Sequence, residues 1–135
     1  MSDVARGGAR PPGVRLVAGD RVLEGVEGST TWRGIARDRL LQSPETWLPV
    51  TVGVVLRFES DGPPPDEAFL TVYRAASIAD RSMAAMMGLE LDPQQPSWVV
   101  ELPPGRYVIT LSRTWDRSES VTHAFGIEIH GSDDS

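Results

Sequence analysis

His123 and His130 are the two imidazoles of this 135-residue chain, and their spacing decides what chemistry they could share. Both lie on one alternating run, residues 121–130, where Val121, His123, Phe125, Ile127 and Ile129 fall on one face and Thr122, Ala124, Gly126, Glu128 and His130 on the other. Seven residues apart on a strand, the histidines point opposite ways and stand on the order of 20 Å apart. A shared metal is therefore excluded. Ser120, His123 and Asp116 could be drawn as a nucleophile, base and acid, but no nucleophile elbow or oxyanion-hole pattern accompanies them, so they are expected to be turn and strand residues. Asp61, Asp66 and Glu67, and separately Asp133 and Asp134, lack calcium-loop spacing, and prolines interrupt the first set. The glycines at Arg6-Gly7-Gly8 and across residues 25–34 lack the strand-to-helix setting and the Lys-Ser/Thr of a phosphate loop. Without cysteine there is no disulfide, thiolate metal site or cysteine nucleophile. No catalytic residue, metal or cofactor is assigned, and the chain is not expected to be an enzyme.

Binding chemistry has more to draw on. Met83, Met86 and Met87 lie at helical spacing within residues 75–91, where flexible thioethers either adapt to a protein partner or form a buried stripe. They are the candidate partner-binding residues. Trp32 and Trp47 are the candidates for stacking on a sugar ring, whereas Trp98 and Trp115 alternate with apolar neighbours and belong in a core. Trp32 stands alone among polar residues and glycines, a setting that also suits an indole dropped by a loop into the core. Arg113 falls between Leu111 and Trp115 on the inward register, which requires either a bulge that turns it out or an aromatic ring to stack on near a sheet edge.

The elements that must position these residues are strands. Residues 97–130 read as three strands joined by Pro103-Pro104-Gly105 and by the polar run at 116–120. Upstream, residues 14–17 and 21–26 form a short pair, residues 47–59 one long strand with Val52, Val54, Leu56 and Phe58 on a common face, and residues 69–74 another. Residues 35–42 are predicted to form one or two helical turns with Leu40 and Leu41 inward, ended by Ser43-Pro44. Ser77 is predicted to cap a short helix that Gly88 ends. Residues 60–67, with three consecutive prolines, form a surface connection. This pattern predicts an all-β fold, a two-layer antiparallel, immunoglobulin-like β-sandwich of about seven strands with one or two short helical insertions. Residues 14–130 make one domain between a flexible tail, 1–13, and an acidic tail, 131–135.

Composition narrows the partners. An apolar fraction of 40% and a charged fraction of 24% are ordinary for a globular domain. Nineteen acidic against thirteen basic residues, all arginine, give a net charge of −6, which repels an anionic backbone and argues against nucleic acid. No segment has the length and apolarity of a signal peptide or a membrane span. The expected location is cytoplasmic if Met1 is native and extracytoplasmic if a leader has been replaced.

Gly28-Ser29-Thr30-Thr31-Trp32, then residues 102–109 (Leu-Pro-Pro-Gly-Arg-Tyr-Val-Ile), then Thr114-Trp115 with Ala124-Phe125-Gly126 resemble a group of small bacterial extracytoplasmic proteins, often lipoproteins, of uncharacterised function. In that group a Gly-Ser-Tyr-Cys-Trp element precedes a sheet ending in a Pro-Gly-x-Tyr, Thr-Trp, Tyr-Ala-Phe hairpin. Thr31 stands where those relatives have Cys, and neither a second Cys nor a lipid-attachment Cys is present. The resemblance implies a sandwich and carries no activity. The functional expectation is a non-enzymatic module that binds an unknown protein partner or builds an assembly, using a sheet face or edge together with residues 75–91. The alternative is a small-ligand or glycan-binding module using an exposed Trp. Oligomeric state is left open.

Overall fold

The computed structural model describes residues 12–116 and 118–131. The expected tails, the Asp133 and Asp134 pair and the Arg6-Gly7-Gly8 run thus lie, wholly or in part, outside the described residues. Among the described residues, eleven strands and one short helix follow in order: β1 (Val14–Ala18), β2 (Arg21–Glu24), β3 (Val26–Trp32), β4 (Ile35–Arg37), β5 (Trp47–Thr51), β6 (Val55–Ser60), β7 (Glu67–Arg74), α1 (Ala75–Ala79), β8 (Ala85–Leu91), β9 (Ser97–Val99), β10 (Gly105–Trp115) and β11 (Glu119–His130). They build two sheets. One has the order β2-β1-β6-β9, and the other β4-β3-β11-β10-β7-β8, with β5 alongside β11. The pairings are antiparallel except β5 with β11, which run parallel where β5 takes over from β3 on the same side of β11. The chain is all-β, in two layers.

The inward alternation of both sheets fills one core. Leu16, Leu56, Phe58 and Trp98 come from the smaller sheet, and Leu70, Val72, Ile109, Leu111, Phe125, Ile127 and Ile129 from the larger. Phe58 and Phe125 meet across the layers edge to face, with centroids 5.6 Å apart. The long β10–β11 hairpin, in register from Gly105↔Ile129 to Trp115↔Glu119, is the spine of the larger sheet. Tyr107 anchors its entry by donating its hydroxyl proton to the Pro103 carbonyl at 2.8 Å.

Two continuous runs are each divided between sheets. Residues 21–26 break at Gly25, whose N–H bonds the Val14 carbonyl, and a Cβ there would lie 2.9 Å from the Phe125 ring and 3.0 Å from His123. Residues 47–59 break at Gly53, which has φ +95° and donates to the Val100 carbonyl at 2.7 Å. Glycine makes both corners feasible, by close approach in the first and by positive φ in the second. Alternation survives each corner because the side chains on both sides still point into the shared core.

Both helical expectations need correction. Residues 35–42 are not helical: Ile35–Arg37 return as β4 beside β3 through the two-residue turn Arg33-Gly34, whose φ values of 54° and 81° are the positive pair that tight hairpins require. Leu40 is exposed and Leu41 half-buried. Downstream, the helix is confined to Ala75–Ala79, with Arg74 at its N-cap and no side-chain cap. Residues 85–91 form strand β8 instead, paired with β7 from Ala68↔Leu91 to Tyr73↔Ala85. The hydrogen bonds and side-chain burial gained against β7 outweigh the helical propensity of Ala and Met.

Candidate functional site

That correction dissolves the methionine stripe. Met83 has φ +55° and precedes the strand, while Met86 and Met87 are successive strand residues on opposite faces. Met86 packs against the core and Met87 lies exposed at the sheet edge opposite Val72. Residues 85–91 are therefore the edge strand of the larger sheet, reached from β7 through α1 and a short connection. Met86 and Met87 therefore do not share a face.

Trp32 is buried and meets Trp115 edge to face at 5.4 Å in a small cluster with Val121, so it plugs the fold and offers no ring to a ligand. Its apolar area decides this, since burying an indole against an indole is worth more than leaving it on a loop. Trp98 and Trp115 are buried as expected, and the Trp115 indole N–H donates to the Pro63 carbonyl at 3.2 Å. Trp47 is half-buried over Gly126, and the Arg106 guanidinium sits 4.9 Å above its ring. Arg106 is itself held by Glu128 at 3.2 Å, so the face that could stack a sugar carries a cation.

His123 and His130 do point apart. His130 is exposed beside Glu128, whereas His123 is buried with Nδ1 3.4 Å from Arg113 Nη2. Arg113 does not turn out: it is fully buried, 5.0 Å over the Trp115 ring, and its Nη2 donates to the Pro12 carbonyl. Among the described residues, Nε and Nη1 of Arg113 have no hydrogen-bond partner. Burial first, and then the neighbouring guanidinium, push the His123 imidazole down from 6.5 to about 4. Burial lowers the Arg113 guanidinium from its ordinary value to about 10, partly countered by the Asp61 carboxylate. An imidazole so weakly basic and so enclosed is poorly placed to take a proton from a substrate. Ser120 does not join it, since it lies on the opposite face of β11 from His123. Among the described residues no group of three His, Cys, Asp or Glu side chains could hold a metal ion. No helix among them is long and apolar enough to cross a membrane.

What the structure assembles instead is the outer face of the smaller sheet. Val55 and Val99 are direct cross-strand neighbours on β6 and β9, and Val22 pairs with Val17 on β2 and β1. Val22, Val55 and Val99 are 56%, 48% and 44% exposed. One row along, Glu24, Arg15 and Glu59 form a polar border across three strands. Arg15 reaches Asp61 at 3.2 Å, and Arg57 reaches Glu59 at 3.3 Å. Beside β6 a groove of about 830 Å³ opens between the two proline-bearing connections, walled by Pro64 and Pro93 with Arg15, Arg57 and Gln94 along it. The alternation placed Val55 and Arg57 on a common outward face, yet only the pairing of four separate segments joins them to Val22 and Val99.

No protein-family model and no curated protein matches the chain. Among solved structures it is similar to one described as the extended catalytic domain of H. jecorina LPMO9A, also called EG4, with a TM-score of 0.50 and 13% identity over 73% of this chain. The likeness is one of fold. The chain spans about half of that structure, 53% of its length.

Proposed function

We propose that this chain is a non-enzymatic β-sandwich module that binds a protein partner across the outer face of the β2-β1-β6-β9 sheet. The observation that carries the reading is the exposed cross-strand pair Val55 and Val99, with Val22 exposed in the neighbouring row beyond Arg57 and Val17, beside the paired charges of Arg57 with Glu59 and Arg15 with Asp61. Exposed aliphatic residues scattered singly need no explanation, but two that are direct cross-strand neighbours, with a third on the same face and paired charges beside them, suit an interface. The neutralised rim, Arg15 with Asp61 and Arg57 with Glu59, leaves apolar complementarity to supply the affinity, so the partner presents aliphatic side chains to this face. The adjoining groove extends the surface toward residues 61–65 and 93–96.

The test is the double variant Val55→Glu, Val99→Glu in cells that express the protein natively. The wild-type chain is expected to fractionate in a complex larger than its own 14.7 kDa, and the double variant as free chain with an unchanged urea midpoint. Co-fractionation of both forms at the same larger size contradicts the reading, as does a wild-type chain that runs free.

A further inference from the structure

The outer face of the larger sheet carries a second, chemically different feature. At one end Pro44, from the segment linking β4 to β5, and Trp47, the first residue of β5, lie directly on Gly126, where a Cβ would come within 2.8 Å of Pro44. Beyond that cover the same segment arches over the sheet, and a hollow of about 230 Å³ remains beneath it. Gly28 and Ala124 keep its floor low, and Leu41 closes one side. Its walls are hydroxyls. Thr71 and Thr110 are direct neighbours across β7 and β10, and Ser112 and Thr122 across β10 and β11. Ser112 and Thr122 share a hydrogen bond of 2.9 Å with each other. The hydroxyls of Thr71, Thr110 and Tyr73 have no hydrogen-bond partner among the described residues.

Arg39 also lines it. Ser29 Oγ accepts from the Arg39 backbone N–H at 3.1 Å and donates to its carbonyl at 3.3 Å, which ties this part of the segment to β3. The guanidinium has no ion pair among the described residues. No carboxylate lines the hollow, so it does not suit a cation. Hydroxyls both donate and accept, which matches a ligand that itself carries hydroxyls, while a guanidinium forks onto a carboxylate. The volume lies below the roughly 300–1,000 Å³ of pockets for drug-sized ligands, which limits the ligand to a single ring.

We propose that this hollow binds one acidic sugar residue, its ring hydroxyls meeting Thr71, Thr110 and Tyr73 and its carboxylate meeting Arg39. The site is on the opposite layer from the valine face and stands independently of it. The experiment is a titration of the isotope-labelled full chain, followed by amide NMR, with sodium glucuronate, glucose and sodium acetate, on wild type, Arg39→Gln and Thr110→Val. Glucuronate is expected to give saturable shifts at residues 71, 110 and 122, with glucose and acetate each at least tenfold weaker. Arg39→Gln should bring glucuronate down to the level of glucose, and Thr110→Val should weaken it severalfold. Absence of saturable shifts with glucuronate overturns the proposal. So does acetate binding as tightly as glucuronate, or unchanged glucuronate binding in Arg39→Gln. If Thr110→Val fails to fold, the Arg39 substitution, made on an exposed side chain, decides alone.

Discussion

Acidification should weaken this fold through His123 in a defined window. Its folded-state pKa of about 4 lies below the ordinary 6.5, so between those values the unfolded chain binds a proton that the folded chain refuses. Stability is therefore unaffected by this group above pH 6.5, falls as pH drops through the window, and loses nothing further from it below about 4. The slope approaches 1.4 kcal/mol per pH unit, and the whole window is worth about 3 kcal/mol. Carboxylates also titrate in this range, so the informative quantity is a difference. Urea unfolding of wild type and His123→Gln at pH 7, 6, 5 and 4 isolates it: the cost of the substitution should shrink by about 3 kcal/mol from pH 7 to pH 4. Parallel curves for the two proteins would refute the reasoning, because they would mean His123 titrates normally in the fold.

Arg113→Met should stay within about 2 kcal/mol of wild-type stability at neutral pH, since it removes a desolvated cation with two unsatisfied nitrogens. An ordinary buried ion pair losing one partner costs about 3–5 kcal/mol, and a loss of that size by urea unfolding would show that Arg113 is a conventional structural charge. Trp32→Ala, which empties the site packed on Trp115, should cost about 3–5 kcal/mol, read from thermal or urea unfolding. Gly126→Ala places a Cβ within 2.9 Å of both Pro44 and Trp47. It should destabilise by about 1–3 kcal/mol and shift Trp47 fluorescence, as the covering segment lifts from the sheet.

The alternation of residues 105–130 was enough to assign the spine of the larger sheet and to send His123 and His130 to opposite faces. It failed where two structures share one pattern. Inward pointing is continuous through Gly25 and Gly53, so periodicity reads one strand where the chain turns a corner between layers. Met83, Met86 and Met87 have helical spacing, yet pairing with β7 converts the region to a strand, and nothing local announces a partner some fifteen residues upstream. Arg33-Gly34 is a hairpin signal that was overridden by the apolar residues after it. The exposed valine face comes from β1, β2, β6 and β9, whose adjacency is a property of topology. Its members were visible singly as outward residues, and their union was not.

The most direct measurement of the binding-face claim is site-specific photocrosslinking. A benzophenone side chain at Val99 is compared with one at Ile35, which is more exposed than Val99 but lies on the edge of the other sheet. In the native cellular background, the Val99 probe should give one discrete adduct that excess wild-type chain competes away and the Val55→Glu, Val99→Glu chain does not, and the Ile35 probe should give none. Equal crosslinking from both positions, or competition by the double variant as effective as by wild type, would contradict the assignment of the partner to the β2-β1-β6-β9 face.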